Sequence, residues 1–447
     1  MSSDLLSIGA SGLRAYRASL AVTGDNIANA QTAGYARRSL RLSEVSITGA
    51  SDFRYRAQTR FDGVDISATL RASDTWRTAD ARLAASAHGK AQTTMTWMTA
   101  AETGLSDGET GTGASLSRMF ASANMLAADP LSRAPRAAFL ASIDEAASSI
   151  RGNAAELARV ASGISEEAQA SVDGLNANLR ALADINLAIR RQPPGSTANA
   201  ELADQRDILI DSIAAQTDVA VTVAADGSAT LTRAGQGLVA DGKAATLMLS
   251  VAPDGRLSFT QDFDGMIAPL TPAGGALGGL TTSATIVADR RAALDILASD
   301  LASALNNWHA NGRTPGNANG AALLDASGGA SALAALVTDP MQVAAADTSG
   351  TANGNALALA GVRTASGVEN QWAILVSAQA QTTASARADA GRTSARKDTA
   401  DAARDIVEGV DLDREAADLL RFQQAYEASA RVIQMAKETV DTILRIF

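Results

Sequence analysis

The chain has 447 residues and no cysteine, which excludes disulfides, thiolate chemistry and zinc sites of the finger type. Its formal net charge is −10, and no Lys/Arg run supplies the basic face usual in nucleic-acid-binding domains, so no nucleic acid partner is expected. Hydrophobic residues make up 46% of the chain, yet no run approaches the roughly 18 apolar residues of a membrane span, so membrane insertion is not expected.

The N-terminal segment predicts a long amphipathic helix. Residues 2–4, Ser-Ser-Asp, supply N-cap candidates. Apolar residues then recur at every seventh position, which is typical of a heptad seam: Leu6, Leu13, Leu20 and Ile27. The helix is expected to end before Gly34, and residues 40–70 alternate weakly enough to predict extended segments.

Proline placement separates the ends of the chain from its middle. All nine prolines lie between Pro130 and Pro340, and because proline breaks helix interiors, the ends are free to form long helices. In the first half we predict helices over 73–101, over 115–128 with breaks at Pro130 and Pro135, over 136–191 and over 201–217.

The pattern then changes to a period of two. Four segments alternate apolar and polar residues: 219–223, 229–233, 246–251 and 256–260. Asp226–Gly227 and Pro253–Asp254–Gly255 between them are hairpin-turn signals. We predict a small antiparallel β unit over 218–280.

The C-terminal part predicts helices again, over about 285–309 and from Glu369 to the end, with a break near Gly409. Between them, short mixed elements are expected to about residue 365. The last helix carries a second seam in steps of three and four: Leu419, Phe422, Tyr426, Ser429, Ile433, Ala436, Val440, Ile443 and Phe447.

Candidate catalytic and ligand-binding motifs are weak. His88 and His309, the two imidazoles, lie in separate segments and are expected at helix surfaces or interfaces. GLVADGKA (237–244) begins like a phosphate-binding loop but has Ala where a magnesium-binding Ser or Thr belongs, so we interpret it as a glycine-rich β-turn. DFDG (262–265) resembles the start of a calcium loop but lacks the later acidic ligands.

One pair of carboxylates, Asp411 and Asp413, precedes the last helix. Paired carboxylates can perform acid–base chemistry, but at a helix start they more simply complement the helix dipole. The sequence therefore predicts no enzyme, and no catalytic, cofactor-binding or metal site.

The two terminal seams remain as candidate functional elements. Burying each large seam side chain contributes roughly 1.5–3 kcal/mol, so the helices become stable only against a partner. Periodicity leaves two interpretations open. Either the terminal helices form an intramolecular coiled coil over a helical domain, or they pack between chains in an assembly.

Both terminal regions resemble those of the rod, hook and junction family of bacterial flagellar axial proteins. DNIANAQTAGYARRSL (25–40) resembles the family's motif after the first helix, and GVDLDREAADLLRFQQAYEASARVIQ (409–434) its closing motif. The form RFQQAY and the segments LADQRDILID (202–211), GGALGGL (274–280), NNWHANG (306–312) and NALALAGV (355–362) are most similar to junction members. The matching positions are Asn26, Ile27, Asn29, Gly34, Tyr35, Leu412, Glu415, Phe422, Gln423, Gln424 and Tyr426.

The resemblance implies a non-enzymatic, mainly α, elongated multi-domain protein. Terminal helices (1–45 plus 405–447) would pair as a coiled-coil inner domain, 46–217 plus 281–404 would form a helical middle domain, and 218–280 a small antiparallel β outer domain. The motif and seam residues would have structural and interface roles. Arg38 departs from the family, where Gln is frequent, and we expect at most a local effect.

The resemblance also implies partners and a location. The partners would be the hook protein, a second junction protein (hook-associated protein 3), further copies of the chain in a ring or helical layer, and an export chaperone on the C-terminal helix. The N-terminus lacks the features of a cleavable signal peptide, so export through the flagellar type III channel to an extracellular position is expected. Alternatives are a hook or rod subunit and a secreted α-helical adhesin or effector.

Overall fold

The computed structural model describes residues 2–48 and 59–446. Long helices dominate these ranges, which confirms the predicted mainly α class. The α-helices are α1 Ser2–Ala28, α2 Thr75–Gly104, α3 Thr112–Ala128, α4 Arg133–Arg191, α5 Thr197–Gln216, α6 Gly275–Ala310, α7 Gly354–Ser366, α8 Val368–Glu408 and α9 Leu412–Ile446.

Strands form small antiparallel sheets. They are β1 Arg38–Thr48, β2 Thr59–Arg71, β3 Ala220–Val223, β4 Ala229–Arg233, β5 Gln236–Ala240, β6 Lys243–Ala244, β7 Thr246–Val251, β8 Leu257–Phe263, β9 Met266–Leu270, β10 Leu324–Asp325 and β11 Ala334–Ala335. β1 pairs with β2 and β10 with β11, while β3-β4-β5-β6 and β7-β8-β9 form sheets of four and three strands.

The predicted strand segments are all present, but β5, β6 and β9 were missed. β5 and β6 lie in the segment interpreted as a glycine-rich turn, and the turn itself is Asp241–Gly242, with φ of 51° and 74°. Asp264–Gly265 likewise turns β8 into β9 with positive φ at both residues. Such Asp-Gly turns match the twist of a hairpin. The two motifs examined as ligand loops are hairpin turns.

The predicted helices are present with two differences. Pro135 does not break a helix, because α4 begins at Arg133 and proline is tolerated in a first turn. Helix α6 begins at Gly275, well before the predicted 285. A Cβ on Gly279 would lie 2.6 Å from the Lys90 carbonyl oxygen, so this glycine allows α6 to cross α2 closely.

The core of the molecule forms along α4, a helix of 59 residues. Its buried side chains recur every three or four residues and pack against α3, α5, α6 and the β sheets. Phe139 meets the Trp308 ring edge-on, with centroids 5.6 Å apart. Asn176 exchanges two hydrogen bonds with the Leu247 backbone, and Asn186 does the same with Ala229. The β sheets therefore share their core with the helices.

His309 lies inside this body, so of the two places expected for it, a helix surface or an interface, the surface is ruled out. The ring is fully buried. Nδ1–H donates to the Ala321 carbonyl at 2.5 Å, and Nε2 accepts from the Ala344 N–H at 2.8 Å. Burial lowers the pKa of the imidazole below its ordinary 6.5. The neutral ring supports the irregular segment that follows α6.

The terminal helices pair with each other, as predicted. Helix α9 lies along α1, and the β1–β2 hairpin packs on α1 as well. Among the described residues, no member of α1 or α9 belongs to the main core cluster. Gly409, in extended conformation, separates α9 from α8, which confirms the predicted break. The terminal pair is thus joined to the helical body at one end.

Candidate functional site

Asn26, in the last turns of α1, joins the two terminal motifs. Its side chain is 1% exposed. Nδ2 donates to the Arg38 carbonyl at 2.8 Å and to Glu415 Oε2 at 3.0 Å, while Oδ1 accepts from the Arg38 N–H at 3.0 Å and from the Tyr35 hydroxyl at 2.8 Å. An amide has two donors and two acceptor lone pairs, and every one is used. No other side chain of this size offers two hydrogen-bond donors together with two acceptor lone pairs.

Glu415 receives this contact from the opposite end of the chain, 389 residues away. It is 1% exposed, and its other oxygen accepts from Arg37 Nε at 2.6 Å. Arg37 also reaches Asp418 at 3.2 Å, and its backbone N–H donates to the Glu408 carbonyl at 2.8 Å. Buried, hydrogen-bonded charge pairs of this kind fix one geometry. They hold the start of α9 against the segment that follows α1.

Arg38 extends the contacts into the helical body. Its Nη2 donates to Asp204 of α5 at 2.6 Å, and its guanidinium lies 4.9 Å from the centre of the Tyr35 ring. The side chain is 7% exposed. This longer, charged side chain reaches an aspartate that a glutamine would not neutralise.

A chain of ion pairs continues from Asp204. Arg71 bonds Asp204 at 2.5 Å and Asp207 at 2.8 Å. Three further pairs link α5 to α2 and α8: Arg82–Asp207, Arg82–Asp211 and Arg404–Asp211. Arg206 pairs with Asp207 within α5. Burial alone would raise the pKa of Asp207, but the surrounding guanidinium groups lower it below 3.8. We call the contacts that link Asn26, Arg37 and Glu415 to the aspartates of α5 the joint. At neutral pH the part of the joint around these aspartates is an ionic cluster. This ionic cluster could not be predicted from the sequence, because its members are scattered along the chain.

Gly34 and Tyr35 shape the loop that follows α1. Gly34 has φ of 78°, a left-handed conformation, and a Cβ there would collide with Ile208 of α5. Tyr35 is half-buried, and burial raises the pKa of its phenol, so its hydroxyl stays a donor to Asn26. Asn29 closes the turn by donating to the Asp25 carbonyl and accepting from Thr32.

The contact between α1 and α9 uses small residues more than the predicted leucines. A Cβ on Gly9 would lie 2.6 Å from Ile433 Cγ1, and one on Gly12 would lie 2.9 Å from Ser429 Oγ. The residues of α1 that are buried are small or polar, whereas Leu6, Leu13 and Leu20 are only half-buried. Because heptad spacing counts large apolar residues alone, it missed the glycines.

The remaining seam and motif residues lie on or beside the same helix pair. On α9, Leu419, Phe422, Ile433 and Val440 are half-buried, while Gln423 and Gln424 are exposed. Ile27 is 36%, Tyr426 37% and Leu412 51% exposed. Ile443 lies within α9, and Phe447 lies outside the described residues. Further apolar side chains that sequence analysis did not single out are exposed here: Leu5, Leu420 and Met435.

Chemical sites are not evident in the part of the chain that the structure describes. No group of three or more His, Cys, Asp or Glu residues there could hold a metal ion. No described helix is long and apolar enough to cross a membrane. Asp411 accepts from the backbone N–H of Asp413 and of Arg414, so it caps α9.

Comparison with known proteins shows to which class of protein these terminal segments belong. Residues 6–35 match the family model of flagella basal body rod proteins, and residues 407–446 match the C-terminal model of flagellar basal body rod FlgEFG proteins. The two matched segments are the two that Asn26 and Glu415 join. The resemblance to flagellar axial proteins is confirmed.

The middle of the chain identifies the family within this class. Residues 98–324, just over half of the chain, match the helical domain model of flagellar hook-associated protein FlgK. The chain belongs to this family of flagellar hook-associated proteins.

The chain is also similar to one curated protein and to one solved structure. The chain is 25% identical over 485 aligned residues to flagellar hook-associated protein 1 of Bacillus subtilis (strain 168), covering 97% of this chain and 96% of that protein. The structure of the flagellar hook junction protein FlgK from Burkholderia pseudomallei matches with a TM-score of 0.49 and 20% identity. That match covers 55% of this chain and 46% of the solved chain.

Proposed function

We propose that this chain is a structural subunit of the junction between flagellar hook and filament, and that it assembles through the α1–α9 pair. The observation that carries the junction role is the match of residues 98–324 to the helical domain of hook-associated proteins. The contact of Asn26 with Glu415, which joins the two terminal motifs into one body, supports assembly through the helix pair. That body leaves apolar side chains such as Leu420 and Met435 59% and 66% exposed. Exposed apolar surface of this kind favours packing against other subunits.

The proposed interface consists of the motif and seam residues on α1, α9 and the loop after α1. Residues with their side chains inside the joint would fix its shape, and those on its surface would contact neighbouring subunits. We also propose an inner, a middle and an outer domain. The absence of described α1 and α9 residues from the main core cluster supports a separate inner domain. The β region, proposed as the outer domain, shares its core with the helices.

The proposed partners follow from membership of the family. One face of a layer of this chain would meet the hook protein, and the other would meet hook-associated protein 3. Before assembly, the chain would leave the cytoplasm unfolded through the flagellar export channel, with a chaperone bound to the C-terminal helix. We propose a structural role and no catalytic one, in keeping with membership of a family of structural flagellar proteins.

The nearest alternatives are less well supported. A hook or rod subunit would share the terminal segments, but residues 98–324 match the hook-associated helical domain. A secreted adhesin or effector would not require both termini to meet in one joint.

The test is electron microscopy of the source bacterium after deletion of this gene, with the gene restored on a plasmid as control. Bare hooks, with filament protein shed into the medium, are the expected result. Missing hooks would instead assign the chain to the hook or rod, and normal filaments would contradict the proposal. In the restored strain, a chain ending at residue 410 should fail to rebuild filaments, because it lacks α9.

A further inference from the structure

Strand β3 has one edge without a strand beside it. The sheet order is β3-β4-β5-β6, so β3 pairs with β4 on one side and, within the described residues, with no strand on the other. Its four residues are largely exposed. An unpaired edge presents backbone donors and acceptors that can add a further strand.

The hydrogen-bond pattern shows which backbone groups are available. The Ala229 N–H and C=O both bond to Asn186 rather than to β3, so Val223 and Ala229 form a non-hydrogen-bonded pair of the ladder. Such pairs alternate with hydrogen-bonded ones, which makes Val221 and Leu231 the next non-hydrogen-bonded pair. The N–H and C=O groups of Val221 and Val223 therefore point away from β4.

A groove runs beside this free edge. It has a volume of about 370 Å³, with Val221 and Val223 on one side and Ala79 and Leu83 of α2 on the other. Leu83 is 64% exposed. The groove continues along α2 into a second recess of about 520 Å³, which Leu83 also lines. Apolar side chains of β3 and α2 therefore flank the space next to the edge strand.

Charged side chains line the end of the groove near α5. Arg71, Arg82 and Arg206 lie there with Asp207, and Asp218 also lines the groove. Within the described residues, Arg71 Nη2 and Arg82 Nη1 form no hydrogen bond or ion pair, although the other nitrogens of both groups do. Two guanidinium donors thus remain for an incoming acceptor, in a chain whose net charge is −10.

Strand β9, one of the two edge strands of the second sheet, differs from β3. Strand β9 carries Pro269 opposite Thr260 of β8, and proline removes a donor that a foreign strand would need. Strand β3 contains neither proline nor lysine. Ala79 and Leu83 of α2 line the same groove as its outer edge.

We propose that this groove binds an extended peptide segment of another protein, which adds to β3 as a further strand. Its backbone pairs with Val221 and Val223, alternate apolar side chains pack against Ala79 and Leu83, and an acidic residue binds Arg71 and Arg82. The proposal does not depend on the junction role, since it concerns the helical body and not the α1–α9 pair.

The test uses the full chain and a labelled peptide, Glu-Val-Thr-Val-Thr-Val, in fluorescence anisotropy. Val221→Pro removes an outward N–H and leaves the ladder to β4 in place, so binding should weaken by about tenfold or more. Val221→Thr keeps the N–H and should bind like the original chain. Leu83→Glu, at an exposed position, should also weaken binding, while circular dichroism checks that each variant is folded.

Two altered peptides separate backbone from charge. N-methylation at alternate amides should abolish binding, and Lys in place of Glu should reduce it by about tenfold at low salt. Equal binding by Val221→Pro, or by the N-methylated peptide, would overturn strand addition. Sedimentation that shows self-association lost in Val221→Pro would assign the groove to a second copy and overturn the proposed partner.

Discussion

Glu415 is the residue at which the two ends of the chain meet. One carboxylate oxygen accepts from Arg37 and the other from Asn26. Both contacts are shielded from water, where hydrogen bonds to a charged group contribute more than neutral ones. A neutral amide at this position would face two donors with only one acceptor oxygen.

We therefore expect Glu415→Gln to lower the free energy of opening of the terminal pair by about 2–3 kcal/mol. Hydrogen exchange of the α1 and α9 amides measures this opening locally. Glu427→Gln, at an exposed position of the same helix, is the matched control and should change it by less than about 0.5 kcal/mol. Equal exchange in both variants would mean that Glu415 does not secure the joint.

The close approach of helix α1 to helix α9 depends on residues without large side chains. Gly9 and Gly12 bring the helix backbones close at Ile433 and Ser429. The leucines of the predicted seam lie at the margins of this contact and remain half-buried. The glycines set the distance between the helices, and the larger side chains contribute further contacts.

Two glycine substitutions on α1 should have opposite effects. Gly9→Ala places a Cβ 2.6 Å from Ile433 Cγ1 and should destabilise the pair by about 1–3 kcal/mol, as overpacking does. Gly24→Ala has no heavy atom within 4 Å of the new Cβ and should stabilise α1 by about 0.5–1 kcal/mol. Protease sensitivity of the N-terminal segment should rise in the first variant and fall in the second. A fall in both would contradict the close contact.

The chain consists of a helical body and a terminal pair, α1 with α9, and different interactions stabilise these two parts. The body has a continuous apolar core that includes β strands as well as helices. The terminal pair is fastened to it by the ionic cluster around Asp204, Asp207 and Asp211. Conditions that act on one kind of interaction should therefore affect one part of the molecule first.

Mild acid should act on the body through His309. Its pKa is lowered in the folded chain from an ordinary 6.5, so the unfolded chain takes up a proton first as the pH falls. Stability should therefore be retained above about pH 6.5 and decrease below it, by up to about 1.4 kcal/mol per pH unit. Urea unfolding, followed by tryptophan fluorescence between about pH 7.5 and pH 5, measures this dependence.

His309→Gln is the variant that tests the assignment. A glutamine can donate to the Ala321 carbonyl and accept from the Ala344 N–H without titrating. The pH dependence should become shallower, although the stability at neutral pH decreases. The carboxyl of Asp207, with its pKa lowered below 3.8, stays ionised throughout this range. Parallel curves for the two proteins would exclude His309 as the cause.

The sequence allowed the order of elements to be predicted because its signals are local. Proline placement, the Gly409 break and the alternating strands required only neighbouring residues. The ionic cluster could not be predicted, because its arginines and aspartates come from β2, α2, α5 and α8 and ordinary charge spacing does not pair them. His309 was misjudged for a related reason, since its partners lie on an irregular segment without a periodic pattern.

The 389-residue separation of Asn26 and Glu415 has a consequence for the order of folding. Joining such distant residues in an unfolded chain carries a large loss of chain entropy. Once the helical body has formed, however, Arg37 and Glu408 lie next to each other, with their backbones hydrogen-bonded at 2.8 Å. The remaining loop then spans only the eleven residues from Asn26 to Arg37 and the seven from Glu408 to Glu415. The body should fold first and α1 should dock on α9 last, so a partly folded chain keeps its terminal helices separate until its middle is complete.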